Sequence, residues 1–344
     1  MPPRPILITG ASGQLGHALA ARAPAAGLPA RAVGRNPRAG RNNVITILLS
    51  TFNGARFLPE QLASFAAQTD RDWRLFWRDD GSSDATREIM ASFAACLGPG
   101  RCVEAAHSGI HLGAGQSFLA LLADAGDAEL IAFADQDDVW LPEKLARARA
   151  ALRGQGVGAR LYTARQYLVD AALQGRKLSA LPARKPGFPA CLTQNVVHGN
   201  TAVMNRAAAA MVNRIPGPSG TVHDWWSYIA VSACGGAITI DPEPVVLYRQ
   251  HKDNLIGSPR TTMARAVGAI RRGPDIFMTM MRRHVRQLEA HGDVLTAAAR
   301  ADLTRIAAGI EGGFAPRLSA MRCPGLTRQT VLENLLFRLW FVLG

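Results

Sequence analysis

Three aspartates stand within four positions in Asp135-Gln136-Asp137-Asp138, directly behind the apolar stretch Leu130-Ile131-Ala132-Phe133-Ala134. A buried strand that ends this way sets several carboxylate oxygens along one edge of a sheet. Such oxygens repel one another unless a cation or an ordered set of donors sits among them. Hard oxygen ligands suit Mg²⁺ or Mn²⁺, ions that commonly accompany a phosphate. One aspartate would be enough to cap the helix expected after Leu141-Pro142, so the cluster points to a metal. A second acidic run, Asp79-Asp80-Gly81-Ser82-Ser83-Asp84, also closes an apolar stretch. Asp84 suits an N-cap, but two adjacent aspartates at a strand end exceed that need. Their oxygens are good acceptors for a pyrimidine imide N–H or for ribose hydroxyls. Ser50 and Thr51, at the end of a neighbouring strand, are placed to frame the same base.

The elements that must position these groups follow from periodicity. Strands are expected over 44–50, 73–78, 102–106 and 130–134, with helices over 57–68, 84–97 and 116–125 between them. This alternation predicts a parallel sheet with helices on both faces. Ligands of such sheets bind beyond the carboxyl ends of the strands. Three of those ends carry polar groups of functional type: Ser50-Thr51-Phe52-Asn53-Gly54, Asp79–Asp84 and Asp135–Asp138.

Four ordered segments over about 95 residues carry a resemblance. They are Ser50–Gly54, Glu60-Gln-Leu-Ala-Ser64 with Gln68, Asp79–Asp84, and Asp135–Trp140 followed by Leu141-Pro-Glu-Lys144. Together they resemble family 2 glycosyltransferases, and within them the bacterial rhamnosyltransferase-like branch. The resemblance implies an α/β, Rossmann-like A-type nucleotide-sugar fold, a nucleotide-diphospho-sugar donor and a divalent metal. It implies that Asp80 contacts the base with Ser50 alongside, that Asp135 lies near the ribose or the metal, and that Asp137 holds the metal. Ser50, Thr51, Asn53, Asp79, Asp80, Asp135 and Arg249 thus form the expected donor site. One departure is Gln116-Ser117, where the family often has Asn just before Phe118. Further on, Val197–Arg206 resembles the family's glycine-containing acceptor segment, with Gly199 and Asn200 on the acceptor side. In His223-Asp224-Trp225-Trp226, paired tryptophans ordinarily mean core packing. The family pattern makes Asp224 the catalytic base and sets Trp225 and Trp226 on the acceptor side. Tyr248–Asn254 matches the pattern Arg-x-His-x-x-Asn, which brings His251 to the metal or diphosphate and Arg249 to the phosphate charge. The implied reaction is inverting transfer to a polysaccharide or lipid-linked acceptor.

Composition bounds the alternatives. The chain has 344 residues, of which 48% are hydrophobic and 19% charged, excluding wholesale disorder. No run of 18 apolar residues is present, so no membrane-spanning helix is expected. Five scattered cysteines predict reduced thiols and a cytoplasmic setting. The net charge of +13 is unevenly placed. Residues 1–43 hold six arginines and no acid, residues 44–255 balance 20 Lys+Arg against 20 Asp+Glu, and residues 256–344 set 13 arginines against six acids. A neutral middle with a carboxylate-rich edge argues against nucleic acid as a partner. The basic tail, helical by pattern and closing on Leu332–Gly344 with Trp340 among aliphatics, suits an anionic membrane surface at the inner face of the cytoplasmic membrane.

Three segments are expected: a partial dinucleotide-binding-like βαβ piece over 1–43, a catalytic domain over 44–255 and a basic helical extension over 256–344. The first resembles the opening unit of extended short-chain dehydrogenases, with Gly10, Gly13 and Gly16 in the turn and Arg35 facing a 2′-phosphate. That resemblance covers about 35 residues and lacks the Tyr-x-x-x-Lys pair on a helix, so no working NAD(P) site is expected. Two rival readings follow: an NAD(P)-dependent nucleotide-sugar reductase or epimerase-like protein, and a non-catalytic module for membrane or nucleic acid.

Overall fold

The computed structural model describes residues 44–126, 128–153, 158–251 and 262–343, with the backbone path alone over 262–274. The expected βαβ piece, with Gly10, Gly13, Gly16 and Arg35, lies outside the described residues, as does Asn254.

The chain opens with β1 (Ile45–Thr51), α1 (Leu58–Ala66), β2 (Trp73–Asp79), α2 (Thr86–Leu97), β3 (Cys102–Glu104), α3 (Ala114–Asp124) and β4 (Leu130–Ala134). Within β1, Ile45, Ile47 and Leu49 point into one core and Leu48 into another, the period of two that a strand imposes. Pro59 sits in the first turn of α1, where its missing N–H costs nothing, and α2 gives way to Gly98 at φ +81°. Next come β5 (Val139–Trp140), α4 (Lys144–Leu152), β6 (Arg160–Val169), β7 (Lys177–Leu178), β8 (Val203–Asn205), α5 (Arg206–Arg214), α6 (His223–Ala233) and β9 (Ala237–Arg249). Asn205 caps α5 by accepting from Ala208 N.

The strands form one sheet in the order β3-β2-β1-β4-β8-β6-β9-β5, with β7 beside β6. The expected parallel pairing holds from β3 to β4, whereas β8 joins both β4 and β6 antiparallel. The sheet is therefore mixed. Its parallel half carries the acidic strand ends, and its other half brings the later segments against them.

Helices α1, α2 and α4 cover one face of the sheet and α3, α5 and α6 the other. The tail comprises α7 (Thr262–Glu289), α8 (Ala297–Glu311), α9 (Phe314–Ala320) and α10 (Val331–Leu343). Met281, Leu288, Leu303, Ile306, Phe337 and Phe341 from these helices enter the same core as α6. No helix of the described residues is long and apolar enough to cross a membrane.

Candidate functional site

The loop 135–138 leaves β4 and is caught at once by β5, which pairs antiparallel with β9 through Val139–Leu247 and Trp140–Val246. Continued backwards, this register carries the aspartates to the end of β9. There His251 Nε2 lies 2.9 Å from Asp137 Oδ2. Asp138 is fully buried and accepts from Asn200 Nδ2 at 2.6 Å and from Arg249 N at 3.0 Å. It is thus a strut between the acceptor segment and β9. Lys144 lies beneath the cluster, fully buried, with its Nζ donating to Asn200 O and seated 3.1 Å from the Trp140 ring centroid. Burial, then the charges of Asp137 and Asp224, push the Asp135 carboxyl up to about 7, with Lys144 opposing. Burial and the neighbouring carboxylates likewise raise Asp138 well above its usual range.

Arg249 occupies a different place from the one expected. Its buried guanidinium pairs with Glu60 and donates to Ala171 O and, at 2.7 Å, to Asp137 O. It braces the loop that presents Asp137.

The strand ends of β1 and β2 also need correction. Asp79 is buried and accepts from Thr51 Oγ1, Gly81 N, Ser82 N and Ser82 Oγ. With Thr51 it builds the turn after β2, so its buried oxygens are engaged within that turn. Asp80 Oδ1 accepts from Arg78 Nη1 at 2.5 Å and Leu112 N at 2.8 Å, and Oδ2 from Gly113 N at 2.9 Å, with His111 Nδ1 3.0 Å away. A carboxylate offers about four acceptor positions. Three of those of Asp80 are taken by Arg78 Nη1, Leu112 N and Gly113 N, so the residue holds the loop 111–113 in place. Asn53, at φ +47°, accepts from Ser83 N and ties the first two strand ends together. Ser50 Oγ donates to Ser117 Oγ at 2.7 Å, and Arg78 Nη1 reaches the same hydroxyl. The departure at Ser117 thus falls on a residue that joins two strand ends.

In the segment expected on the acceptor side, Asp224 stands in the first turn of α6. Gly199 N donates to its Oδ2 at 3.0 Å and Trp225 N to its Oδ1 at 2.6 Å. A Cβ on Gly199 would come within 2.9 Å of His223 Nε2 and 3.2 Å of Asp224 Cβ, so glycine is required for the approach. Burial raises the Asp224 carboxyl to about 6. His223 is stacked on Phe118 at 4.0 Å, and burial drops its pKa to about 3, so it stands as a neutral ring. Trp225 is half-buried and donates to Cys191 O at 2.7 Å. Trp226 is fully buried, with its indole donating to Ile215 O, and belongs to the core. Asn200 is likewise buried in the strut to Asp138. The acceptor-side expectation is therefore corrected for both Trp226 and Asn200, while Gly199 and Trp225 lie beside Asp224.

A metal fits this donor set in part. Among the described residues no three acidic, histidine or cysteine side chains converge as a ready cage. Asp137 and His251 meet without Asp135, so the expected three-residue set is reduced to a pair. A Mg²⁺-type ion bound by one or two side chains and substrate phosphates requires no larger protein cage. The burial and neighbouring negative charges that raise Asp135 despite Lys144 fit a cation as well.

Sequence reading gave no role to Arg78, Ser117, Gln136 or Lys144. Gln136 exchanges two hydrogen bonds of 2.9 Å with the Phe52 backbone, and a Cβ on Gly54 would meet its Oε1 at 2.2 Å. One signal was available: Arg78 stands directly beside Asp79-Asp80 at a strand end, an opposite charge at hand for those carboxylates.

Comparison with known proteins bears on this arrangement. The family model described as glycosyl transferase family 2 matches residues 46–228. The dTDP-rhamnosyl transferase RfbG of Shigella flexneri is 28% identical over 221 residues, covering 61% of this chain and 74% of that protein. Among solved structures, S. aureus TarS 1-349 in complex with UDP-GlcNAc is similar at a TM-score of 0.52 and 15% identity, covering 81% of this chain and 79% of that one. Its complex with UDP gives 0.53 at 16% identity, covering 86% and 90%. These two likenesses speak for the fold.

Proposed function

This chain belongs to glycosyl transferase family 2, and from that premise we propose that it transfers rhamnose, with inversion, from a nucleotide-diphospho-sugar to a lipid-linked or polysaccharide acceptor. The observation that carries the reading is the placement of Asp224 on the acceptor side, close enough to Asp135 for its charge to raise that carboxyl. A carboxylate poised near 6 suits a general base at neutral pH. Asp224 takes the acceptor hydroxyl proton as the oxygen forms its bond to the anomeric carbon. On the opposite face the bond from that carbon to the diphosphate oxygen breaks, and the nucleoside diphosphate leaves with the electron pair. A divalent cation at Asp137 and His251, Mg²⁺ or Mn²⁺, would neutralise charge on the departing diphosphate. Gly199 holds Asp224 in place, Arg249 braces the loop of Asp137, and Asp80 orders the loop 111–113 beside the donor. The rhamnosyl donor is supported by the Shigella relative, which is named a dTDP-rhamnosyl transferase.

The reductase reading rests on residues 10–16, outside the described residues, and has no support from the family match over 46–228. Family membership sets aside the non-catalytic reading. A basic tail sharing a core with α6 favours an acceptor at an anionic membrane on the cytoplasmic side.

The test is a screen of nucleotide sugars for donor turnover, with and without added Mg²⁺ or Mn²⁺. dTDP-rhamnose should be turned over in a metal-dependent manner. Asp224→Asn should lose at least about a hundredfold in transfer while melting as a folded protein. Full activity in that variant would sink the assignment of the base.

A further inference from the structure

Helix α10 is apolar on two opposite sides. Phe337, Trp340 and Phe341 face inward, Trp340 at 8% exposure and the others fully buried. The outward side carries Leu332, Leu335, Leu339 and Leu343, between 53% and 70% exposed and spaced by three and four residues. At 1.5 Å per residue these leucines form a ridge about 16 Å long. Scattered exposed leucines are ordinary, but a continuous ridge on one helix is the mark of a partner surface.

Charge around the ridge decides between partners. Residues 312–343 hold Arg317, Arg322, Arg328 and Arg338 against one acid, Glu333. That acid is engaged at the start of α10, accepting from Thr330 Oγ1 at 3.0 Å. Arg322 is exposed, while Arg317 donates to Val342 O and Arg328 lies over the Phe277 ring. A second copy of the chain would bring the same positive balance to the contact, so like charges would meet there. An anionic lipid surface complements both features, apolar at the acyl boundary and negative at the phosphates.

The helix is fastened to the acceptor side. Thr193 Oγ1 donates to Thr327 O at 2.8 Å, Gln329 N to Gln194 Oε1 at 3.0 Å, and Arg184 N to Gln329 Oε1 at 2.9 Å. The segment so held contains Cys191, whose carbonyl receives the Trp225 indole, and runs on into Gly199, which positions Asp224.

We propose that α10 is a membrane-docking helix. It lays its leucine ridge into the headgroup boundary of an anionic bilayer, with the arginines of 312–343 at the phosphates, and turns the acceptor side towards lipid. The inference rests on the preceding reading only for the place of the acceptor. Trp340, which composition alone would make the lipid anchor, packs inward instead.

The test is cosedimentation of the full chain with vesicles of phosphatidylcholine, with or without phosphatidylglycerol, in the absence of donor and acceptor. The chain should bind the phosphatidylglycerol vesicles and leave the neutral ones. The double variant Leu335→Ser, Leu339→Ser should lose at least about tenfold in partitioning with an unchanged melting temperature, because both side chains already face water. Arg322→Gln, at an exposed position, should lose up to about fivefold. Equal binding by parent and double variant, or no preference for anionic vesicles, would overturn the proposal. So would a dimer in sedimentation that the double variant dissolves and that shows no vesicle binding, since the ridge would then belong to a second copy. Asp224→Asn should bind vesicles as the parent does, so a failed base assignment and a failed docking surface give separate results.

Discussion

Asp224 holds its proton more tightly than a free carboxyl because its side chain is withdrawn from water, with its value raised to about 6. Only the ionised form accepts a proton, so the sign of the pH dependence follows. The kcat/KM for transfer should be level above about pH 6 and fall roughly tenfold per unit below it. Such a profile, measured with a saturating divalent cation, checks the assignment. An acid limb retained unchanged in Asp224→Asn would assign it to another group. The same scale separates carboxylates of similar appearance. Asp79 and Asp80 are both buried strand-end aspartates, yet each accepts hydrogen bonds from its own turn or from the loop 111–113. Asp224 faces the other carboxylates and raises Asp135.

At the scale of elements, α6 places two tryptophans in succession and gives them opposite duties, because adjacent residues on a helix are turned by about 100°. Trp226 lies in the core against His284 and bonds to Ile215 O. Trp225 reaches Cys191 O in the frame of the acceptor side. Trp226→Ala should therefore cost about 3–5 kcal/mol of stability, seen as a large drop in melting temperature. Trp225→Ala should cost less and should raise the KM for the acceptor. Thermal melts paired with acceptor-saturation kinetics read both effects, and a reversed pattern would count against this division. The antiparallel pairing of β5 with β9 acts at the same scale. It brings the 135–138 loop to the end of β9 and so brings Asp137 within 2.9 Å of His251, 114 residues away.

For the whole molecule, the tail is part of the core and not a loose appendage. Phe337 and Phe341 are fully buried together with residues of α6. Fully burying a large apolar side chain contributes about 1.5–3 kcal/mol, and a domain is stable by only about 5–15 kcal/mol. A chain ended at Thr330 should therefore be insoluble, or should melt at least about 10 °C lower than the parent. Soluble expression and a melting curve measure this directly. A truncated chain as stable as the parent would show that α10 adds nothing to the fold.

The sequence by itself determined the strand–helix alternation from 44 to 134, the acidic strand ends and the helical tail. These are written in local patterns, because alternation with a period of two and turn chemistry act between near neighbours. It also marked Asp137, Asp224 and His251 as residues to watch, through their motifs. Only the tertiary structure decided which marked groups are committed to the frame. Thr51, Asp79, Asn200, Trp226 and Arg249 carry the residue types of a site, but contacts with residues distant in sequence commit them to turns, struts and core. The same holds for α10, whose sequence is mostly apolar and does not say which side faces inward. Packing against α7 and α9 chose Phe337 and Phe341 for the core and left the leucines in water. Burial and hydrogen-bond saturation depend on what the folded chain brings alongside a side chain, and that is set by long-range pairing.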